Sequence, residues 1–98
     1  MNITQKKGRN EELYKAIVSL RTLDECMRFF DDLCTAPELM AMEQRFRIAE
    51  CLNNGMNGND VLAETGASST TISRVNRSLQ YGAGGYELAF ERLKESEK

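Results

Sequence analysis

Apolar positions along the chain recur at helical spacing in several separate stretches. Leu13, Ile17 and Leu20 fall at i, i+4 and i+7 with Ala16 alongside, which describes one face of an amphipathic helix. Asn10 is placed to cap it, and Glu11 and Glu12 suit the positive end of its dipole. Thr22 and Glu25 have capping-box spacing, so a second helix opens near Leu23 and is expected to bury Leu23, Met27, Phe30 and Leu33. Thr35 and Glu38 repeat the signal with Pro37 in the first turn. They open the longest helix, over 36–53, with Leu39, Met42, Phe46, Ala49 and Leu52 as its stripe. Asn53-Asn54-Gly55 ends it.

A brief helix is predicted over 59–65, with Val61 and Leu62 inward. Gly66 and Ala67 form a tight turn, and Ser68 caps a helix over 69–80 that turns Ile72, Val75 and Leu79 inward. Gly82, Gly84 and Gly85 break it. A last helix over 86–94 carries Leu88, Ala89, Phe90 and Leu93. The polar, partly β-branched run from Ser68 to Ser73 imitates a strand, but the spacing of Ile72, Val75 and Leu79 is helical. The reading is all-α, with a flexible N-terminal arm over 1–9 and a single helical domain over 10–95.

Bulk numbers narrow the class. With 98 residues, 41% hydrophobic and 29% charged, the chain reads as one small globular domain with a limited core, and its helices gain from pairing with a second copy. No apolar run has the length of a membrane span and the N-terminus has no signal-peptide core, so the protein is expected in the cytoplasm. Cys26, Cys34 and Cys51 match neither a disulfide framework nor a metal knuckle, and there is no His; they read as free thiols with no metal. The same lack of His, of a Gly-rich phosphate loop and of an activated nucleophile argues against an enzyme.

The formal net charge of −2 gives nucleic-acid binding no support by itself. What a phosphate backbone meets is the local field. From Thr65 to Tyr86 there is no Asp or Glu, whereas Arg74 and Arg77 lie inside that stretch, and Lys6, Lys7 and Arg9 stand in an acid-free N-terminus.

Residues 59–80 carry the functional signal. A DNA-reading helix-turn-helix needs two short helices crossing through a tight turn. Gly66 supplies a left-handed backbone and Ala67 is small enough to sit under the crossing. Val61, Ile72 and Val75 are placed to lock the pair, although Thr65 falls where an apolar residue would pack better. The outer side of the second helix is short and polar. Ser69, Thr70, Thr71 and Ser73 offer hydroxyls to base edges or phosphates, and the Thr methyls suit thymine methyls. Arg74 and Arg77 suit the phosphate backbone. A structural αα-corner whose hydroxyls only cap a helix is the plain alternative reading of the same residues.

The segments CTAPELMAMEQRFRIAECLNNGM and ETGASSTTISRVNRSL resemble the Trp repressor superfamily, and most of all its YerC/YecD-type branch. The first is similar to the family's long central helix, with its Thr-Pro-Glu-like start and Arg-x-Arg-Ile run. The second is similar to its turn and reading helix. The match covers about half the chain, with one residue fewer near Gly55-Met56. The resemblance implies six helices, an interlocked homodimer, and a palindromic operator with half-sites about 34–36 Å apart. It also implies that Ser69, Thr70, Thr71 and Ser73 face DNA. Thr35, Arg45, Arg74 and Ser78 match positions around a small-molecule effector pocket. Val75 stands where the Trp repressor has a glycine close to the bound indole, and a branched side chain there crowds an aromatic ligand. No cofactor is therefore called for, and tryptophan as corepressor is disfavoured. The plain reading of Arg45 is a salt bridge to another helix, with Glu64 as partner, and that of Arg74 a phosphate or carboxylate contact.

The expected function is thus a double-stranded DNA-binding transcriptional regulator. The rival is a helical module that docks on the transcription machinery through the exposed corner. Such a corner should show apolar anchors, and Ser69, Thr70, Thr71 and Ser73 offer none.

Overall fold

The computed structural model describes residues 8–97. It contains six helices: α1 (Glu11–Ser19), α2 (Leu23–Leu33), α3 (Ala36–Asn53), α4 (Gly58–Thr65), α5 (Ser69–Tyr81) and α6 (Gly85–Ser96). No strand occurs among the described residues. Of the expected arm over 1–9, only Gly8 and Arg9 are described, and the Arg9 guanidinium donates to the Tyr14 hydroxyl at 3.3 Å.

Five of the six helices start where a side chain supplies an acceptor for the otherwise unpaired N–H groups of the first turn, and α6, which follows Gly84, has no such cap. Asn10 Oδ1 accepts from the Leu13 N–H at 3.4 Å, and Thr22 Oγ1 from the Glu25 N–H at 3.1 Å. Thr35 and Glu38 form a reciprocal box. Thr35 Oγ1 accepts from the Glu38 N–H at 3.3 Å, and Glu38 Oε1 accepts from the Thr35 N–H at 2.8 Å. Asn57 Oδ1 accepts from the Asp60 N–H at 2.9 Å, a cap the pattern reading did not foresee. Ser68 Oγ accepts from the Thr71 N–H at 3.1 Å.

The described chain forms two compact units, 8–41 and 42–97. The unit over 8–41 holds α1, α2 and the first turns of α3. Leu13, Ala16, Ile17 and Leu20 are half-buried as the pattern predicts, as is Phe30. Leu23, Met27 and Leu33 are not buried; Leu23 is 76% exposed. Two short helices and a helix start enclose too little volume for a core. No residue over 8–41 is fully buried.

The unit over 42–97 has the core. Ile48, Ala49 and Cys51 of α3, Val61 of α4, Ala67 of the turn, and Ile72 and Val75 of α5 are buried, with Leu52, Met56, Leu79, Tyr86 and Phe90 packed against them. Burial of Val61 alone contributes about 1.5–3 kcal/mol. Ile48 and Cys51 lie outside the stripe read from the sequence because α3 is covered on more than one side. Phe46, Tyr86 and Phe90 form an aromatic cluster with ring centroids 5.4–6.4 Å apart. Within this unit Leu62 is exposed, contrary to expectation, and Leu88 and Leu93 of α6 are exposed as well. On an eight-residue helix such as α4 only a narrow meridian faces inward, and Val61 occupies it. Cys51 is a buried free thiol, and Cys26 and Cys34 are half-buried ones.

Candidate nucleic-acid interface

The corner between α4 and α5 is built from the turn outward. Gly66 ends α4 with φ 69° and ψ 8°, the left-handed conformation in which a Cβ is penalised, and its N–H donates to the Leu62 carbonyl at 2.9 Å. Thr65, at a position where an apolar residue would pack better, has a polar task. Its Oγ1 donates to the Val61 carbonyl at 2.7 Å and accepts from the Ala67 N–H at 3.2 Å. The hydroxyl therefore stitches the last turn of α4 to Ala67, the residue after Gly66.

Two side chains of α3 hold α4 in place. Gln44 Nε2 donates to the Thr65 carbonyl at 3.4 Å, and Arg47 Nη2 donates to Glu64 Oε1 at 2.8 Å. Arg47 Nη1 also lies 3.7 Å from Glu50 Oε1. The expected partner of Glu64 was Arg45. The two arginines are two residues apart, about 200° around a helix, so they point to opposite sides and Arg47 has the side facing α4. The hydrogen bond to Glu64 is the main reason the Arg47 guanidinium holds its proton above the ordinary arginine value.

On α5, Ile72 and Val75 point into the core and the opposite side is free. Ser69, Thr70, Ser73, Arg74 and Arg77 are all exposed and line one open surface. Thr70, Arg74 and Arg77 follow at i, i+4 and i+7, so they share a ridge, with Ser69 and Ser73 along its edge. No carboxylate lines this surface. Glu64, the last acid before it in the chain, is engaged by Arg47. Thr71 differs from its neighbours: it is half-buried and its Oγ1 lies 3.0 Å from the Ser68 cap hydroxyl. Tyr81, one turn beyond Arg77, extends the ridge and is 80% exposed. The i+4 spacing from Arg77 was the signal for it.

The residues matched to an effector pocket are placed less tightly. Arg45, Arg74 and Ser78 are exposed in the unit over 42–97. Thr35 belongs to the unit over 8–41, where its hydroxyl caps α3. Val75 is 2% exposed and is part of the core. Among the described residues, no His, Cys, Asp or Glu group is arranged to hold a metal ion, and no helix is long and apolar enough to cross a membrane.

Comparison with known proteins gives a consistent set of relatives. The family profile described as Trp repressor protein matches residues 9–94. The protein YerC of Bacillus subtilis (strain 168) is 46% identical over 98 residues, spanning 99% of this chain and 94% of its own length. The crystal structure of a TrpR-like protein from Eubacterium eligens ATCC 27750 superposes with a TM-score of 0.84 at 46% identity, over 92% of this chain and 96% of that one. A candidate Trp repressor from Staphylococcus aureus superposes with a TM-score of 0.87 at 38% identity, over 95% of this chain and 96% of that one. The six-helix architecture is the fold of these structures.

Proposed function

Because this chain belongs to the Trp repressor protein family, we propose that it is a sequence-specific double-stranded DNA-binding transcriptional regulator that acts as a homodimer on a palindromic operator. The observation that carries this reading is the outer side of α5. Hydroxyls at Ser69, Thr70 and Ser73 and guanidinium groups at Arg74 and Arg77 are presented together on one surface without a carboxylate. Short polar side chains at a helix start suit base edges, and the arginines further along suit phosphates. Asp60 and Glu64 on α4 do not oppose this. Asp60 sits in the first turn, at the positive end of the α4 dipole, and Glu64 is paired.

The dimer is supported by the exposed apolar side chains over 8–41. Val18, Leu23, Met27 and Met40 are each more than half exposed in the single chain, and a second copy of the same sequence is the partner a two-fold operator requires. Tryptophan is not part of the proposal. Val75 fills its site with core packing, so DNA binding is expected without added tryptophan, and calorimetry with the amino acid should register no heat.

The decisive test is fluorescence anisotropy with duplex DNA. Affinity should fall steeply between low and physiological salt, because several phosphates release counterions. Arg77→Ala should weaken binding on all sequences alike and reduce the log–log salt slope by about one. An unmodified protein that fails to retain DNA even at low salt would refute the reading, and capture of a protein of the transcription machinery instead would favour the docking module.

A further inference from the structure

A second hollow lies between α4 and α5, beside the ridge. Asn59 and Leu62 of α4 face Ser69, Ser73 and Asn76 of α5 across it, with Ile72 at its floor. Ser69 and Ser73 also line the open surface that carries Arg74 and Arg77. The two surfaces are therefore continuous, and whatever lies along the ridge extends over the hollow.

The chemistry of the hollow is unlike that of the ridge. None of its lining side chains is charged. Asn76 is exposed, and its Oδ1 accepts from Gln80 Nε2 at 3.3 Å, which holds the amide along the helix and leaves one lone pair on the oxygen. Leu62 is 44% exposed, a large apolar side chain among hydroxyls and amides. An uncharged surface with an amide and a neighbouring apolar group does not suit a phosphate.

We propose that this hollow is a second base-reading surface, which selects an A·T pair: the Asn76 amide takes the adenine edge and Leu62 packs on the thymine methyl. An asparagine amide matches adenine in the major groove, donating to N7 and accepting from the N6 amine, while the same pair presents the thymine C5-methyl nearby. Guanine offers two acceptors there, which would leave the amide oxygen facing O6. The inference rests on the DNA-binding reading and adds to it the residues that discriminate.

Selection from a randomised duplex library, followed by titration of single-base variants, tests it. The full chain should enrich at least one fixed A·T pair in each half-site. Asn76→Ala should lower discrimination at that pair about tenfold or more, with the other positions unchanged. Asn76→Ser, which keeps a small polar group, should do the same, and thermal melts would show both variants folded. Replacing thymine by uracil at that pair should weaken the parent protein but not Leu62→Ala. If both substitutions act evenly on all sequences, or not at all, while Arg77→Ala still weakens binding, the second reading surface is overturned and the DNA-binding reading stands. If the parent protein enriches no sequence and retains no DNA, both fall.

Discussion

Arg47 of α3 reaches Glu64 of α4 across 2.8 Å, and both side chains are about half exposed. Exposed ion pairs contribute little to stability and are screened by salt. Arg47→Ala should therefore lower the thermal midpoint less than Val61→Ala, whose buried side chain is worth roughly 2 kcal/mol. Added salt should shrink the Arg47 effect and leave the Val61 effect in place. The raised pKa of Arg47 means that its contribution is complete below the ordinary arginine value and lost only as pH rises through the higher folded value. Mildly alkaline buffer should thus leave the pair intact.

Gly66 has open space where a Cβ would stand, so a side chain there meets a backbone penalty and no clash. Gly66→Ala should cost about 1–2 kcal/mol in denaturant melts. Gly66→Asn should cost less, since asparagine tolerates the left-handed region. Equal losses for the two would mean that something other than φ governs this turn.

Gly82 is a different case, because a Cβ on it would run into the backbone carbonyl of Ser78. Gly82→Ala should loosen the last turn of α5 around Tyr81. Hydrogen exchange would report this as faster exchange of the Gly82 amide, which donates to that carbonyl at 3.0 Å, with the first turn of α5 unchanged.

Ser68 caps α5 through the Thr71 N–H, and the two hydroxyls meet as well. Ser68→Ala should destabilise by about 1 kcal/mol. It should also release the Thr71 hydroxyl, so DNA affinity should fall by more than stability alone explains. Ser68→Asp, which keeps an acceptor but adds charge beside the DNA surface, should restore the helix start and still weaken DNA binding.

Glu38 titrates below its ordinary value of 4.5, first because it accepts the Thr35 N–H and second because of the Thr35 hydroxyl. A depressed carboxylate stabilises the fold above the unfolded pKa, and that contribution is lost as pH falls through the lower folded value. Carbon-detected titration should find the Glu38 midpoint below 4.5. Thr35→Ala should raise it only partly, because the backbone donor remains.

Much of this fold is legible in the sequence where the physics is local. Asn10, Thr22, Thr35 and Ser68 act on residues three positions away, so their roles can be read from spacing alone. Gly66 is legible for the same reason, since its φ is set by the turn it occupies. Exposure is not local. Leu23 and Leu62 fit apolar stripes, yet whether a stripe is covered depends on elements far along the chain. The choice between Arg45 and Arg47 for Glu64 likewise turns on how α3 is rotated against α4. For the candidate interface, Ser69, Thr70, Ser73, Arg74 and Arg77 were evident from their polar, acid-free run. Asn59, Leu62 and Asn76 were not, because the hollow exists only once two helices cross.

The caps at Asn10, Thr22, Thr35, Asn57 and Ser68 each close within three residues of chain. Such a start is chosen by its immediate neighbours, whereas Val61 and Ile72 pack against residues of other helices and supply the stability that short helices lack alone. Exchanging Ile48 or Val75 for another apolar residue should change how firmly the chain holds together without moving the points at which its helices begin.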